Sequence, residues 1–194
     1  CATLGGPVGS QMFQDHKGSY GTCWGMVNYI DQYDQSIIGP NRDNENEFGN
    51  KEGTEHYWAA FGIGYGARIA EMTDGTSNSI AMMEILQSPS EEGAVDRRGR
   101  IWNHVAGTYQ VSTRFPPNTP EKDQSACVPL PELNLPCTST GIENIMYLSS
   151  RSEHPAGVNI VMCDASAQFI SEDIDLILWK SLSSINGGEV AQLP

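Results

Sequence analysis

The residues of this chain that could do chemistry are its carboxylates, and Glu84 is the most unusual of them. It lies in Ile80 to Leu86, an apolar run that predicts a buried strand, and a buried carboxylate needs a partner. With Asp74 or Asp96 it could serve a hydrolase, but no second carboxylate stands at a spacing recognisable for glycosidases. We therefore expect a structural ion pair with an arginine, which can donate paired hydrogen bonds to a carboxylate. The candidate partners are Arg68, Arg97, Arg98 and Arg100.

The histidines and cysteines form no recognisable catalytic or zinc-binding motif. The four histidines include no His-Glu-x-x-His sequence, and the five cysteines include no Cys-x-x-Cys pair. The chain also lacks the Gly-x-Ser-x-Gly elbow of serine hydrolases. We therefore expect a non-enzymatic protein that needs no cofactor.

Oxygen-rich stretches offer two alternative positions for a calcium ion, which binds about six to eight oxygen ligands. Asp43, Glu45 and Glu47 alternate within an acidic segment, but their spacing is not that of an EF-hand loop, so a solvated loop is the first expectation. Asp164 is expected to hold a tight turn through its own side chain, with a Ca²⁺ site there as the alternative.

Two cysteine pairs are candidates for disulfide bonds. Cys127 and Cys137 bracket a proline-rich loop that cannot build its own core, so this pair is the first choice. Cys1 and Cys23 are the second choice, with lipidation of Cys1 as an alternative. Cys163 lies in an apolar run and is expected to be a buried free thiol. Disulfides favour an extracytoplasmic location, at the cell surface, in the periplasm or secreted.

The elements that must position these side chains are clearest in the C-terminal unit, residues 153–190. Val158 to Cys163 and Ala167 to Ile170 are apolar runs, separated by the turn-forming residues 164–166. This pattern predicts a β-hairpin. His154 is then expected to order the loop that enters the hairpin.

A helix is predicted to follow the hairpin. Apolar residues recur at helical spacing over 174–185, so the helix must bury one face. Residues 171–173 supply capping side chains. Asn186-Gly187-Gly188 should end the helix, because glycine adopts a positive φ at a helix C-terminus without steric cost.

The rest of the chain reads as short strands joined by long loops. Residues 113–140 are rich in proline and should form an extended excursion over the surface. The predicted fold is α+β, a mainly antiparallel sheet packed against the C-terminal helix, in a single domain 1–194. Further strands are predicted at 23–30, 56–61, 80–86 and 100–105, and a short element at 142–148.

Charge and hydropathy limit the class of partner. The formal net charge is −13, so a nucleic acid is not expected to bind, because phosphate recognition needs a basic surface. The sequence has no initiator methionine, no signal peptide and no apolar run long enough to cross a bilayer. We therefore expect a fragment or a processed form.

Two motifs resemble those of a known bacterial family. Nine residues separate His154 from Asp164, and Asp74-Gly75-Thr76-Ser77-Asn78 leads to Glu84. From Arg68 to Val190 the chain is similar to prepilin-like, or pseudopilin-like, proteins, which carry a C-terminal His-x9-Asp-Gly motif and an N-terminal prepilin helix. Alanines at 156 and 165 replace the glycines usual in the family. Alanine is less comfortable than glycine in a turn with positive φ.

The resemblance implies the globular head of a surface or secretion-filament protein that binds proteins or self-assembles into filaments. Membrane contact would come only through an N-terminal helix that this sequence lacks. His154, Asp164, Asp74, Gly75, Asn78 and Glu84 would then be structural residues, with Ca²⁺ as a possible ordering ion.

The alternative reading is an extracytoplasmic module that binds glycans or small solutes. Aromatic residues could line a platform for a sugar, although core packing is their commoner fate. The candidates are Trp24, Tyr29, Tyr57, Trp58 and Trp102.

Overall fold

The computed structural model describes residues 17–26, 59–62, 65–89, 96–101, 107–139 and 146–189. This part of the chain is mostly strand with one short C-terminal helix, which confirms the predicted α+β class. The elements are β1 Tyr20–Cys23, β2 Phe61–Gly62, β3 Tyr65–Gly66, β4 Ile80–Glu84, β5 Gln110–Ser112, β6 Asp123–Ser125, β7 Cys137–Ser139, β8 Leu148–Ser149, β9 Gly157–Met162, β10 Ala167–Ser171 and α1 Leu176–Ser181.

A mixed six-stranded sheet in the order β10-β9-β4-β1-β5-β8 is the centre of the structure. The pairings β10–β9, β9–β4 and β4–β1 are antiparallel, whereas β1–β5 and β5–β8 are parallel. Antiparallel pairing thus holds for three of the five strand pairings, and the parallel pairings lie at the end formed by β1, β5 and β8. Two small sheets, β2–β3 and the parallel pair β6–β7, complete the described strands.

One face of this sheet builds the hydrophobic core. Along β9 the side chains of Val158, Ile160 and Met162 are buried, while Asn159 and Val161 between them point to the opposite face, which we call the open face. The same core cluster contains Cys23, Ile80, Met83, Ile85, Val111, Ile170, Trp179 and Leu182. The alternating direction of side chains along a strand therefore decides which of them remain accessible.

The predicted β-hairpin is confirmed. β9 and β10 pair in register from Gly157 with Ser171 to Val161 with Ala167. The turn between them contains Ala165 at φ 69°. An L-residue with a side chain pays roughly 1–2 kcal/mol in this left-handed conformation, so the missing glycine leaves strain in the turn.

The C-terminal helix is shorter than the sequence predicts. The apolar spacing predicts a helix over 174–185 with caps from 171–173, but α1 covers Leu176–Ser181. Asp175 is the actual N-cap, and its carboxylate accepts hydrogen bonds of 2.9 Å from two backbone N–H groups of the first turn. The helix ends well before the predicted stop at 186–188.

The early end of α1 follows from competing hydrogen bonds. The carbonyl of Leu182 accepts a hydrogen bond of 2.8 Å from the N–H of Ile80, and that of Ile185 accepts one of 3.1 Å from Asp74. Both side chains are still buried, but their backbone bonds the start of β4 and the turn before it. Ile177, part of the predicted apolar stripe, is 76% exposed. The helical spacing of apolar residues over 174–185 thus reflects the burial of individual side chains and not one continuous helix.

The first strand is also displaced from its prediction. It covers Tyr20–Cys23, ahead of the predicted 23–30, of which residues 27–30 lie outside the described part. Gly21 explains the miss, because a Cβ at that position would overlap the carbonyl oxygen of Tyr109. A glycine that permits close packing at the sheet centre breaks the apolar pattern of the strand.

The predicted strand at 100–105 is not seen where the chain is described. Arg100 forms only an isolated bridge with Lys17, Ile101 is in a turn, and residues 102–106 lie outside the described ranges. Within those ranges, no helix has both the length and the apolar character needed to cross a bilayer.

Candidate functional site

The Asp74 segment is a structural joint. Its carboxylate accepts hydrogen bonds from the backbone N–H groups of Gly187 at 2.8 Å and Gly188 at 2.9 Å. Asn78 donates from its amide nitrogen to the carbonyl of Asp74 at 2.9 Å, while Gly75 has a φ of 97° that suits only glycine. The polar side chains of this motif therefore hold the backbone in place through hydrogen bonds.

The same segment also holds the turn of the hairpin. The N–H of Asp164 donates to the carbonyl of Thr76 at 3.1 Å, and that of Cys163 donates to Ser79 at 2.8 Å. The carboxylate of Asp164 accepts two hydrogen bonds from Ser166, of 2.8 Å and 2.6 Å, which is the expected Asx turn. These bonds lower the pKa of the Asp164 carboxyl.

Glu84 pairs with none of the four candidate arginines, all of which lie in the described ranges, so that prediction is wrong. One carboxylate oxygen, Oε2, accepts hydrogen bonds from the backbone N–H of Asn159 at 2.9 Å and from its side-chain amide at 3.1 Å. The other, Oε1, lies 3.3 Å from Nε2 of His154. The reason is its direction: Met83 enters the core, so Glu84 points to the open face. Its side chain is 14% exposed.

His154 stands at the entrance to β9, and its side chain is 52% exposed. Its backbone N–H donates to the hydroxyl of Ser152 at 3.0 Å, and its ring meets Phe169 edge-on with centroids 6.4 Å apart. Asp164 lies at the far end of the same strand. The structure therefore brings His154 to Glu84 and keeps it apart from Asp164.

Two of the candidate arginines, Arg98 and Arg68, pair with other carboxylates. Arg98 is 2% exposed and pairs with Asp96 at 2.7 Å and with Asp123 at 3.6 Å. Burial acts to raise the pKa of Asp96, but hydrogen bonds and charge from Arg98 outweigh it and lower that pKa. Arg68 instead pairs with Glu71 at 2.6 Å on the surface. Arg97 donates its backbone N–H to the carbonyl of Ala126.

Arg151 is a second buried arginine, which the sequence did not single out. Its Nε lies 3.1 Å from Asp123, and its terminal nitrogens donate to the carbonyls of Thr119 at 2.6 Å and Glu121 at 2.7 Å. Arg98 likewise donates to the carbonyl of Val128 at 2.8 Å. The guanidinium groups of Arg98 and Arg151 thus hold the backbone of the proline-rich segment in place. The sequence indicates this arrangement in one way only, because the proline-rich segment cannot build a core by itself.

Lys17 is a buried cation that the sequence also did not reveal. Its ammonium donates to the carbonyl and the hydroxyl of Ser88, at 2.8 Å and 2.7 Å. Burial lowers its pKa from 10.5 to about 8, with Arg100 and Arg98 acting in the same direction and Asp96 opposing them. This lysine ties the start of the described chain to the segment that follows β4.

Of the two predicted disulfides, one is present. Cys127 and Cys137 are bonded. Cys23 is a free thiol, so its predicted bond to Cys1 is wrong, and Cys1 itself lies outside the described residues. Cys23 is fully buried at the sheet centre, where burial raises its pKa to about 12. Cys163 is free as predicted but only partly buried, and burial raises its pKa to about 11.

Several other predicted site residues lie outside the described ranges or apart from Glu84. Among the described residues, no group of three or more His, Cys, Asp and Glu side chains is placed to hold a metal ion. Trp24 is partly buried, and its indole N–H donates to the hydroxyl of Thr22 at 2.9 Å. Asp74 and Asp96, the proposed hydrolase partners of Glu84, bind other groups. The undescribed candidates are Asp43, Glu45, Glu47, Tyr29, Tyr57, Trp58 and Trp102.

Comparison with known proteins places the chain in a family. Residues 15–176 match the model of SBP_bac_10, described as "Protein of unknown function (DUF1559)". The chain belongs to this family. DUF1559 is a bacterial family often described as prepilin-like. In this DUF1559 chain the match includes the Asp74 segment, Glu84, His154 and Asp164. Neither the curated proteins nor the solved structures gave a match.

Proposed function

We propose that this chain is the non-enzymatic head of a prepilin-like protein at the bacterial surface or in a secretion filament, where it acts through contacts with other proteins. The observation that carries the proposal is the Asp74 joint. Its carboxylate, its neighbouring amide and the turn at Asp164 are all engaged in hydrogen bonds within the chain. Because these motif residues hold the backbone in place, they support a structural role for the chain.

The disulfide supports the location in this proposal. Cys127 and Cys137 close a loop in a segment with little apolar core, which is the usual role of a disulfide in proteins outside the cytoplasm. Contact with the membrane would come from a helix N-terminal to this sequence.

The edge of the main sheet offers the surface for a protein partner. β10 is an edge strand without a charged residue, and Phe169 in its middle is 51% exposed. An exposed edge strand can add a strand from another chain through backbone hydrogen bonds. Phe169 next to this edge would supply apolar contact.

Photocrosslinking in the source bacterium tests the proposal. The protein as encoded would carry benzoylphenylalanine at Phe169 or, as a matched control, at Leu133, an exposed apolar residue of the proline-rich segment. We expect crosslinks from position 169 to a second copy or to another prepilin-like protein, in the cell-surface fraction. A cytoplasmic protein, or equal crosslinking from both positions, would contradict the proposal.

A glycan- or solute-binding module is the competing function. Tyr20 is 37% exposed and Trp24 is partly buried, so two aromatic residues at β1 offer some accessible ring surface. Binding on a glycan array that is lost in Trp24→Ala and kept in Phe169→Ala would favour this function over the filament head.

A further inference from the structure

The open face carries a pair of metal-ligating atoms that the fold does not otherwise require. Glu84 uses Oε2 for both hydrogen bonds from Asn159, which leaves Oε1 facing Nε2 of His154. The imidazole is half exposed, so an ion from solution can reach it. Neither atom is needed for pairing of the strands or for the Asp74 joint.

The separation of these atoms suits one tetrahedral ion. Bonds of about 2.0–2.1 Å to an imidazole nitrogen and a carboxylate oxygen, at a tetrahedral angle, place the two ligand atoms about 3.3–3.4 Å apart. The measured distance from Nε2 of His154 to Oε1 of Glu84 is 3.3 Å. We propose that His154 and Glu84 form a surface site for a divalent transition-metal ion such as Zn²⁺.

Both ligands are held in place before an ion arrives. Asn159 fixes the carboxylate of Glu84 with two hydrogen bonds. Phe169 meets the imidazole edge-on at an interplanar angle of 82°, and Ser152 holds the backbone of His154. Little side-chain freedom remains to be lost on binding, and such supporting contacts strengthen metal sites.

The ligand types select the ion. Imidazole with carboxylate suits Zn²⁺ and its neighbours in the first transition row, whereas Ca²⁺ needs about six to eight oxygen ligands. The charge also favours a cation, because Glu153 directly precedes His154 in the sequence and the chain carries a net charge of −13. Water completes the coordination in the isolated chain. In an assembly, a partner could supply a further ligand, which goes beyond the proposed function.

Calorimetric titration of the purified chain with Zn²⁺ in metal-free buffer tests the site. Four proteins are compared: wild type, His154→Ala, Glu84→Gln and, as a matched control with an exposed carboxylate in the turn at the far end of β9, Asp164→Asn. We expect affinity to fall at least tenfold in the first two variants and to be kept in the control. Excess Ca²⁺ should not compete, because it prefers a shell of oxygen ligands.

The outcome that overturns the site is equally direct. A wild-type chain that binds no Zn²⁺ up to about 1 mM would show that the pair is only a hydrogen bond. Equal binding by wild type and His154→Ala would place the ion elsewhere. His154→Ala decides the question even if Glu84→Gln unfolds, because His154 is half exposed and its removal leaves the core intact. Circular dichroism of each variant checks the fold.

Discussion

The hairpin side and the proline-rich side of this molecule are stabilised in different ways. On the hairpin side, β9 and β10 pair in regular register and bury alternate apolar side chains. On the proline-rich side, residues 113–139, the described strands are short, and the segment is held by Arg98, Arg151 and a disulfide. Where the chain cannot bury enough apolar surface, buried charges and a covalent bond stabilise it instead.

The two sides also differ in how deeply their polar side chains are buried. Arg98 and Arg151 are at most 2% exposed and bind carbonyl oxygens as well as carboxylates, so their charges cannot be left unpaired. The imidazole of His154 is 52% exposed and can exchange its partner for water. Ion pairs on the proline-rich side are thus structural, whereas the His154–Glu84 pair on the hairpin side is accessible to solvent.

The comparison predicts the largest effect at Asp123. Asp123→Asn keeps the shape but removes the charge that faces both buried arginines, so the free energy of unfolding should fall by about 3–5 kcal/mol. Urea denaturation measures the loss, with Asp164→Asn as a control that should stay close to wild type. A variant as stable as wild type would mean that the network adds little.

Removal of the disulfide should have the next largest effect. Replacing Cys127 and Cys137 by serine should lower the free energy of unfolding by about 2–4 kcal/mol, because the unfolded chain regains the freedom of the loop. Limited proteolysis should then cut within 113–139 before it cuts the hairpin. Cys163→Ser is the control and should leave the pattern unchanged. Cleavage of the hairpin first would reverse the assignment of the two sides.

Lys17 should make stability rise with pH above neutrality. Its pKa falls from 10.5 to about 8 on folding, chiefly because burial disfavours the charged form. Between these values the unfolded chain binds a proton that the folded chain has released, so this group raises the free energy of unfolding as pH increases, by roughly 1–3 kcal/mol. Denaturation of wild type and Lys17→Met at pH values across this window should show a smaller rise in the variant. Parallel pH profiles would refute the assignment.

The smallest effect is expected on the hairpin side, where two alanines adopt positive φ. Ala156 at φ 62° and Ala165 at φ 69° are strained, and glycine would relieve this strain while making the unfolded chain more flexible. Each substitution by glycine should raise the thermal midpoint, with a gain of about 0.5–1 kcal/mol. Ala167→Gly in β10 is the matched control and should lower it. A fall for all three would show that these backbones are unstrained.

The difference between the sides also decided what the sequence could predict. The hairpin was predictable because two apolar runs and the turn-forming residues between them are local signals. The disulfide was predictable because two cysteines bracket a proline-rich loop. Glu84 and His154 could not be paired, because they are distant in the chain and only the strand register brings them together. The pair of Arg151 and Asp123 was also missed. It lies in irregular backbone, which has no repeating pattern from which contacts could be predicted.

The Asp74 joint has a consequence for the order of folding. Its carboxylate finds its amide partners 113 and 114 residues later along the chain. Contacts between residues so distant slow folding, since a long loop must close before they form. A chain that emerges from a ribosome or a translocation channel would therefore expose the start of β4 until Gly187 and Gly188 have emerged.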